Sequence, residues 1–244
     1  MEGTKPREFE FLKSKYRWYR KWWGILLLAL AGLVAAFFIF VLVQAYSVYR
    51  QMMAGTFIPP DAFSSGADVD MNLLVDEFTP WIGAKDGKIR IVEFGDFNCP
   101  FTLEAVPALK QLVDKYPDKI KLYWRNYPVH DETSVDFAKA GVCAGQQQKF
   151  WAYHDRVFAA RATEDSSKSL NQLAAEAGMD LALMKDCLNN SLTEAFIRKD
   201  YYAGQEAGVT GTPTFVINGF VLQGVIPLSG WEDLMKSLLP IYDK

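Results

Sequence analysis

The sequence predicts an α/β domain carried behind a single membrane-spanning helix. Three observations lead there: one uninterrupted apolar run near the N-terminus, a strand–helix–strand alternation beginning at Lys88, and two short strand-like runs around Asn218-Gly219 after a long helical stretch. With 244 residues, 50% hydrophobic, 23% charged and few glycines and prolines, the chain is neither disordered nor fibrous. Three cysteines are too few for a disulfide scaffold, and a net charge of −3 speaks against nucleic-acid binding, which normally leaves a basic footprint.

Residues 1–23 form a basic segment with seven cationic side chains (Lys5, Arg7, Lys13, Lys15, Arg17, Arg20 and Lys21) against three acids. The rest of the chain therefore carries −7. From Gly24 to Val43, twenty residues run without a charge, enough at ~1.5 Å per residue to cross the ~30 Å hydrocarbon layer. We assign the transmembrane helix to 24–45. Trp22 and Trp23 precede it and Tyr46 and Tyr49 follow, where aromatic belts sit, and the basic cluster lies on the N-terminal side. The expected topology is N-terminus in, with the remaining chain outside the cytoplasm of a prokaryotic cell. A cleaved signal peptide is the alternative, but the run exceeds the usual ~7–15 residue h-region and no A-x-A site follows. Residues 46–78 contain Gly55, Pro59-Pro60 and Ser64-Ser65-Gly66, breakers that predict an extracytoplasmic tether. The domain is expected over 79–244.

Within it, Lys88 to Phe94 is a β-branched run suited to a buried strand. Leu103, Val106, Leu109 and Val113 then recur at helical spacing, and Lys119 to Trp124 alternates as a second strand. That β-α-β unit predicts parallel neighbours. The segment of about 133–206 reads as a helical insertion, with Phe150, Tyr153, His154, Val157 and Phe158 on one face and Leu183, Met184, Cys187 and Leu188 on another. Thr214–Ile217 and Phe220–Gln223 around Asn218-Gly219 carry the strongest short-range hairpin signal. A helix around Ser229–Leu239 closes the chain. His154 on its apolar face reads as a core histidine and His130 as a structural residue at a helix start. No C-x₂-C or H-x₃₋₅-H spacing exists, so no metal site is expected.

Three blocks carry a resemblance: Val92-Glu-Phe-Gly-Asp-Phe-Asn-Cys-Pro100, the stretch from Cys143 to Asp155, and Gly208-Val-Thr-Gly-Thr-Pro-Thr-Phe-Val-Ile-Asn-Gly219. Over residues 80–244 the chain resembles the membrane-anchored branch of the DsbA-like thioredoxin-fold family. The resemblance implies a thioredoxin fold with a helical insertion and thiol–disulfide chemistry outside the cytoplasm. One position departs from the family's C-x-x-C motif, because this sequence reads Cys99-Pro100-Phe101-Thr102.

Cys99 follows a strand and opens a helix, where the macrodipole and unpaired backbone N–H groups favour a thiolate. Pro100 fits the first helical position because it lacks the N–H that would be orphaned there. A buried free cysteine acting as a small hydrophobe is the usual reading of a lone cysteine, but the position after a strand and before Pro100 favours a reactive thiol. By the resemblance, Glu93 matches the acid that family members bury beneath the active site to move protons; on the sequence alone, a lone strand Glu more often faces water. Thr102 stands where the resolving thiol would be, so Cys99 can attack a disulfide but cannot release the product intramolecularly. Its hydroxyl either hydrogen-bonds the thiolate or caps the first turn. Pro213 matches the family's cis-proline, against a general cis frequency of ~5–6%. Thr212 then lines the nucleophile, and with Phe101 is expected to touch substrate. Cys143 and Cys187 are paired in related sequences, leaving Cys99 as the odd thiol; two buried thiols are the alternative.

No cofactor is expected. The leading function is an anchored oxidoreductase with one nucleophilic cysteine, acting on extracytoplasmic proteins or small thiols and served by an external thiol or a membrane-protein redox partner. The alternatives are a redox-inactive binding or chaperone-like module and a structural subunit of a membrane assembly.

Overall fold

The computed structural model describes residues 22–53, 69–163 and 168–242. The basic residues 1–21 and tether residues 54–68 lie outside them. The chain divides after residue 54 into two units, each considered by itself.

Among the described residues the first unit holds one helix, α1 (Trp22–Met53), of which Trp22–Ser47 is long and apolar enough to cross a membrane. At 1.5 Å per residue those 26 residues span about 39 Å. Apolar side chains such as Leu33 and Leu42 are exposed along its length, as a lipid-facing helix requires. The helix continues through residues 46–53, assigned above to the tether, because Gly55 is the first Gly or Pro after Gly32.

The second unit is built on a five-stranded sheet of order β1-β3-β2-β4-β5: β1 (Trp81–Gly83), β2 (Ile89–Gly95), β3 (Ile120–Asn126), β4 (Thr214–Ile217) and β5 (Phe220–Gln223). β2 and β3 run parallel and every other pair is antiparallel. β2 is central and buried on both faces, which is why its sequence reads as a nearly continuous apolar run. The β4–β5 turn places Asn218 and Gly219 at φ of 46° and 99°, the left-handed conformation a two-residue hairpin demands. β1 has no counterpart in the sequence reading; three exposed residues are too few to show a period. The folded unit also takes in residues before 79, since the short helix α2 (Met71–Leu74) buries Met71 and Leu74, and the Val69 N–H bonds the Gly219 carbonyl at 3.1 Å.

Two helices cover one sheet face: α3 (Pro100–Lys115) through Ala105, Leu109 and Leu112, and the C-terminal α9 (Leu228–Tyr242) through Trp231, Leu234 and Met235. Between β3 and β4 the insertion supplies α4 (Ser134–Gln146), α5 (Phe150–Ala162), α6 (Leu170–Glu176), α7 (Leu181–Leu188) and α8 (Ser191–Glu206). Capping side chains fix three of these starts: Ser169 in a capping box with Gln172, Asp180, and Asn190. The insertion has its own core, joined to the sheet by Phe97 and Trp124. Phe97 stacks on Phe158, and His154 sits 5.1 Å from the Trp124 ring inside the cluster, where burial lowers its pKa. His130, expected at a helix start, is instead exposed in the loop before α4, because that helix begins four residues later at Ser134.

Candidate functional site

The β2–β4 register builds the site. Glu93 lies opposite Phe215 and Phe94 opposite Thr214, so the chain leaving β2 and the chain entering β4 meet at one end of the sheet. The first loop carries residues 96–99 and the second carries 211–213. Gly95 ends β2 under the Trp124 indole, where a Cβ would come within 2.3 Å of the ring; only glycine admits that approach.

Cys99 is the N-cap of α3, with extended backbone (φ −73°, ψ 124°) and Pro100 at the first helical position. Its Sγ–H donates to the Thr212 carbonyl at 3.2 Å, joining loops 113 residues apart. The Thr212–Pro213 peptide is cis, and the Pro213 carbonyl accepts from the Gly224 N–H at 2.8 Å. Cys99 is a free thiol and 5% exposed. Phe101, by contrast, is 58% exposed and lines a shallow groove with Glu104, Thr212, Gly224 and Val225. Phe101 and Thr212 thus line this groove, the Cys99 surface, while Cys99 is buried against the Thr212 carbonyl and Pro213 is buried next to Thr212 in sequence.

Thr102 is fully buried one turn into α3. Its hydroxyl accepts from the Asp96 N–H at 3.5 Å, at the limit of a hydrogen bond, and has no hydrogen bond to Cys99 among the described residues. That bond is neither of the two anticipated roles: it ties the loop residue Asp96 to the first turn of α3. Glu93 sits in β2 on the face shared by Ile91 and Phe215, which α3 and α9 cover. It is 1% exposed, Oε1 has no partner among the described residues, and burial pushes its pKa up to about 8. A carboxyl in that state is held protonated, and so uncharged, at neutral pH. Cys143 on α4 and Cys187 on α7 are disulfide-bonded inside the insertion core, apart from the Cys99 surface.

The sequence reading did not single out the side chains that hold the Cys99 loop. Asp96, 1% exposed, accepts from the N–H groups of Asn98, Val129 and His130, each at 2.8 Å. Asp96-Phe97-Asn98 between a strand and a helix is an Asx-turn signature that could have flagged it. Arg161, which reaches Asn98 from the end of α5, gave no sequence signal. Elsewhere, a cavity of about 410 Å³ between residues 76–80, the end of β3, α4 and α8 shares no lining residue with the Cys99 surface. Near it the buried Arg125–Asp200 pair, Nε to Oδ1 2.8 Å, ties β3 to α8.

Residues 76–237 match the family model described as Thioredoxin. The chain is 32% identical over 140 residues to Na(+)/H(+) antiporter NhaA 1 of Salinispora arenicola, covering 56% of this chain and 21% of that one. It is 27% identical over 151 residues to the probable disulfide bond formation protein D of Bacillus anthracis, covering 57% and 69%. The chain therefore spans about a fifth of the length of the first curated relatives it matches. Among solved structures, a thioredoxin-like oxidoreductase from Silicibacter pomeroyi superposes with a TM-score of 0.60 at 24% identity, covering 75% of this chain and 99% of that one. Likeness at that identity speaks to the fold: a thioredoxin fold with a helical insertion.

Proposed function

Since this chain belongs to the thioredoxin family, we propose that it is a thiol–disulfide oxidoreductase working through Cys99 alone, anchored by α1 with its domain outside the cytoplasm. The observation that carries the reading is Cys99 Sγ held at the start of α3 against the Thr212 carbonyl, with Thr102 where a resolving thiol would be. The name of the Bacillus relative, a disulfide bond formation protein, supports the same chemistry.

In the proposed reaction the Cys99 thiolate attacks one sulfur of a substrate disulfide. A Cys99–substrate S–S bond forms, the original bond breaks, and the departing sulfur leaves as a thiolate that takes up a proton. The Thr212 backbone and Phe101 receive the substrate chain in the groove. Glu93, protonated at neutral pH, can exchange a proton with the site. Thr102 has no sulfur, so a second thiol, from a small molecule or a redox partner, attacks the mixed disulfide and completes the exchange.

One observation favours a second reading, a binding module without turnover: Cys99 is 5% exposed and stands without a second thiol. The test uses the full chain in detergent with a small disulfide. The expected result is a stable one-to-one adduct on Cys99, absent in Cys99→Ser. Thr102→Cys should then form a 99–102 disulfide and turn over repeatedly. A Thr102→Cys variant that folds normally yet forms no such bond and gains no activity would give the binding module the lead.

A further inference from the structure

The loop that carries Cys99 has no regular structure of its own, so its shape comes from side chains. Asn98, the residue before the nucleophile, uses its backbone N–H and both ends of its side-chain amide. Its backbone N–H donates to Asp96 Oδ1 at 2.8 Å, and its Nδ2 donates to Asp131 Oδ1 at 2.6 Å and Thr133 Oγ1 at 2.5 Å. Its Oδ1 accepts from Arg161 Nη2. Asn98 is 6% exposed, so each of these bonds replaces water that is not available.

Arg161 comes from the last turn of α5, with its guanidinium 4.9 Å from the Phe137 ring centroid. A cation there suits the negative end of the helix dipole, which is reason enough for a basic residue but not for its direction. The direction follows from charge. Asp96 within the loop and Asp131 beside it both attract Arg161. Burial works against the charge of Asp131, yet hydrogen bonds from Asn98, Thr133 and Ser134 hold its pKa down to about 2, so it is ionised. A thiolate forming on Cys99 adds another negative charge one residue from Asn98. Arg161 brings a positive charge to the loop, and its hydrogen bond fixes Asn98, the residue peptide-bonded to Cys99.

We propose that Arg161 is a positioning residue for Cys99, acting through Asn98 at the end of the relay that ties the nucleophile loop to the helical insertion. The inference rests on the reading of Cys99 as the reacting thiol.

The test is a double-mutant cycle on the full chain in detergent, reading the rate at which Cys99 reacts with iodoacetamide and with a small aromatic disulfide. Arg161→Met should slow both by about tenfold, the scale of one hydrogen bond to a charged group. Arg161→Lys, which keeps the charge and a donor, should recover most of the loss; a contact needed only for folding would not sort the two by reactivity. Asn98→Ala should also slow the reaction, and Arg161→Met added to it should cost little more, because one relay has already been cut. Losses that multiply independently, equal rates for Lys and Met, or a Met variant as fast as wild type would each overturn the proposal. If Arg161→Met does not fold, Asn98→Ala and Arg161→Lys decide: a fast Asn98→Ala or a slow Arg161→Lys refutes it. Wild-type Cys99 reacting with the disulfide no faster than free cysteine would instead sink the functional reading, and the iodoacetamide rates would still report on Arg161.

Discussion

Glu93 shows at the scale of one residue what a sequence holds and what it withholds. In the string Ile-Val-Glu-Phe it is one acid in an apolar run, and nothing local says whether water reaches it. The central position of β2 and the cover of α3 and α9 decide that, and neither is visible until the sheet is ordered. Only the resemblance pointed inward. Its physical signature is a stability that depends on pH. Burial raises the folded-state pKa to about 8, whereas the unfolded value is near 4.5. Below pH 4.5 both states are protonated and the group is neutral in the balance. Between about 4.5 and 8 the unfolded state ionises and the folded state does not, so stability falls as pH rises, by roughly 1 kcal/mol per pH unit. Glu93→Gln should flatten that slope and raise stability at pH 7.5, as followed by thermal unfolding at several pH values. An unchanged slope in the Gln variant would mean that the carboxyl is solvated or paired.

Elements were legible where a period had room to repeat. β2, β3, the hairpin and α3 each carry enough residues to declare themselves, and α9 shows its apolar stripe. β1 is three residues long and joins the sheet by pairing with β3, a long-range event that leaves no local trace. α1 outlasts its apolar run: the run stops at Val43, but no breaker ends the helix before Gly55. The bond between α4 and α7 lies between these cases, since spacing cannot identify partners and the fold can. Cys143 and Cys187 are 44 residues apart, and closing a loop of that length should stabilise by roughly 3–4 kcal/mol in the chain-entropy model. Substituting both by Ala should lower the melting temperature by about 10 °C, measured by near-UV circular dichroism, whose signal comes from the aromatic cluster around Trp124. A double variant that melts with the wild type would show that the bond adds nothing beyond the packing around it.

For the whole molecule the question is which side of a membrane each unit meets, and two independent observations bear on it. The first is charge: seven cations precede the apolar run, and the rest of the chain carries −7. Positive segments flanking a span stay in the cytoplasm. The second is redox state, because a disulfide such as Cys143–Cys187 persists in an oxidising compartment and not where cytosolic thiols keep cysteines reduced. Charge and sulfur chemistry thus both support the proposed topology, although neither depends on the other. The expected outcome is that a reporter fused after Lys244 is active only outside the cytoplasm, the full-length chain sediments with membranes, and Cys143–Cys187 is oxidised in protein taken directly from cells with its thiols blocked. The measurements can disagree informatively. A soluble form beginning near Tyr46 would make α1 a cleaved signal. Reversing the sign of the basic segment, by replacing its Lys and Arg residues with Glu, should invert the chain and leave Cys143 and Cys187 reduced. If that variant still carries the bond, the disulfide does not report the compartment, and the orientation rests on charge alone.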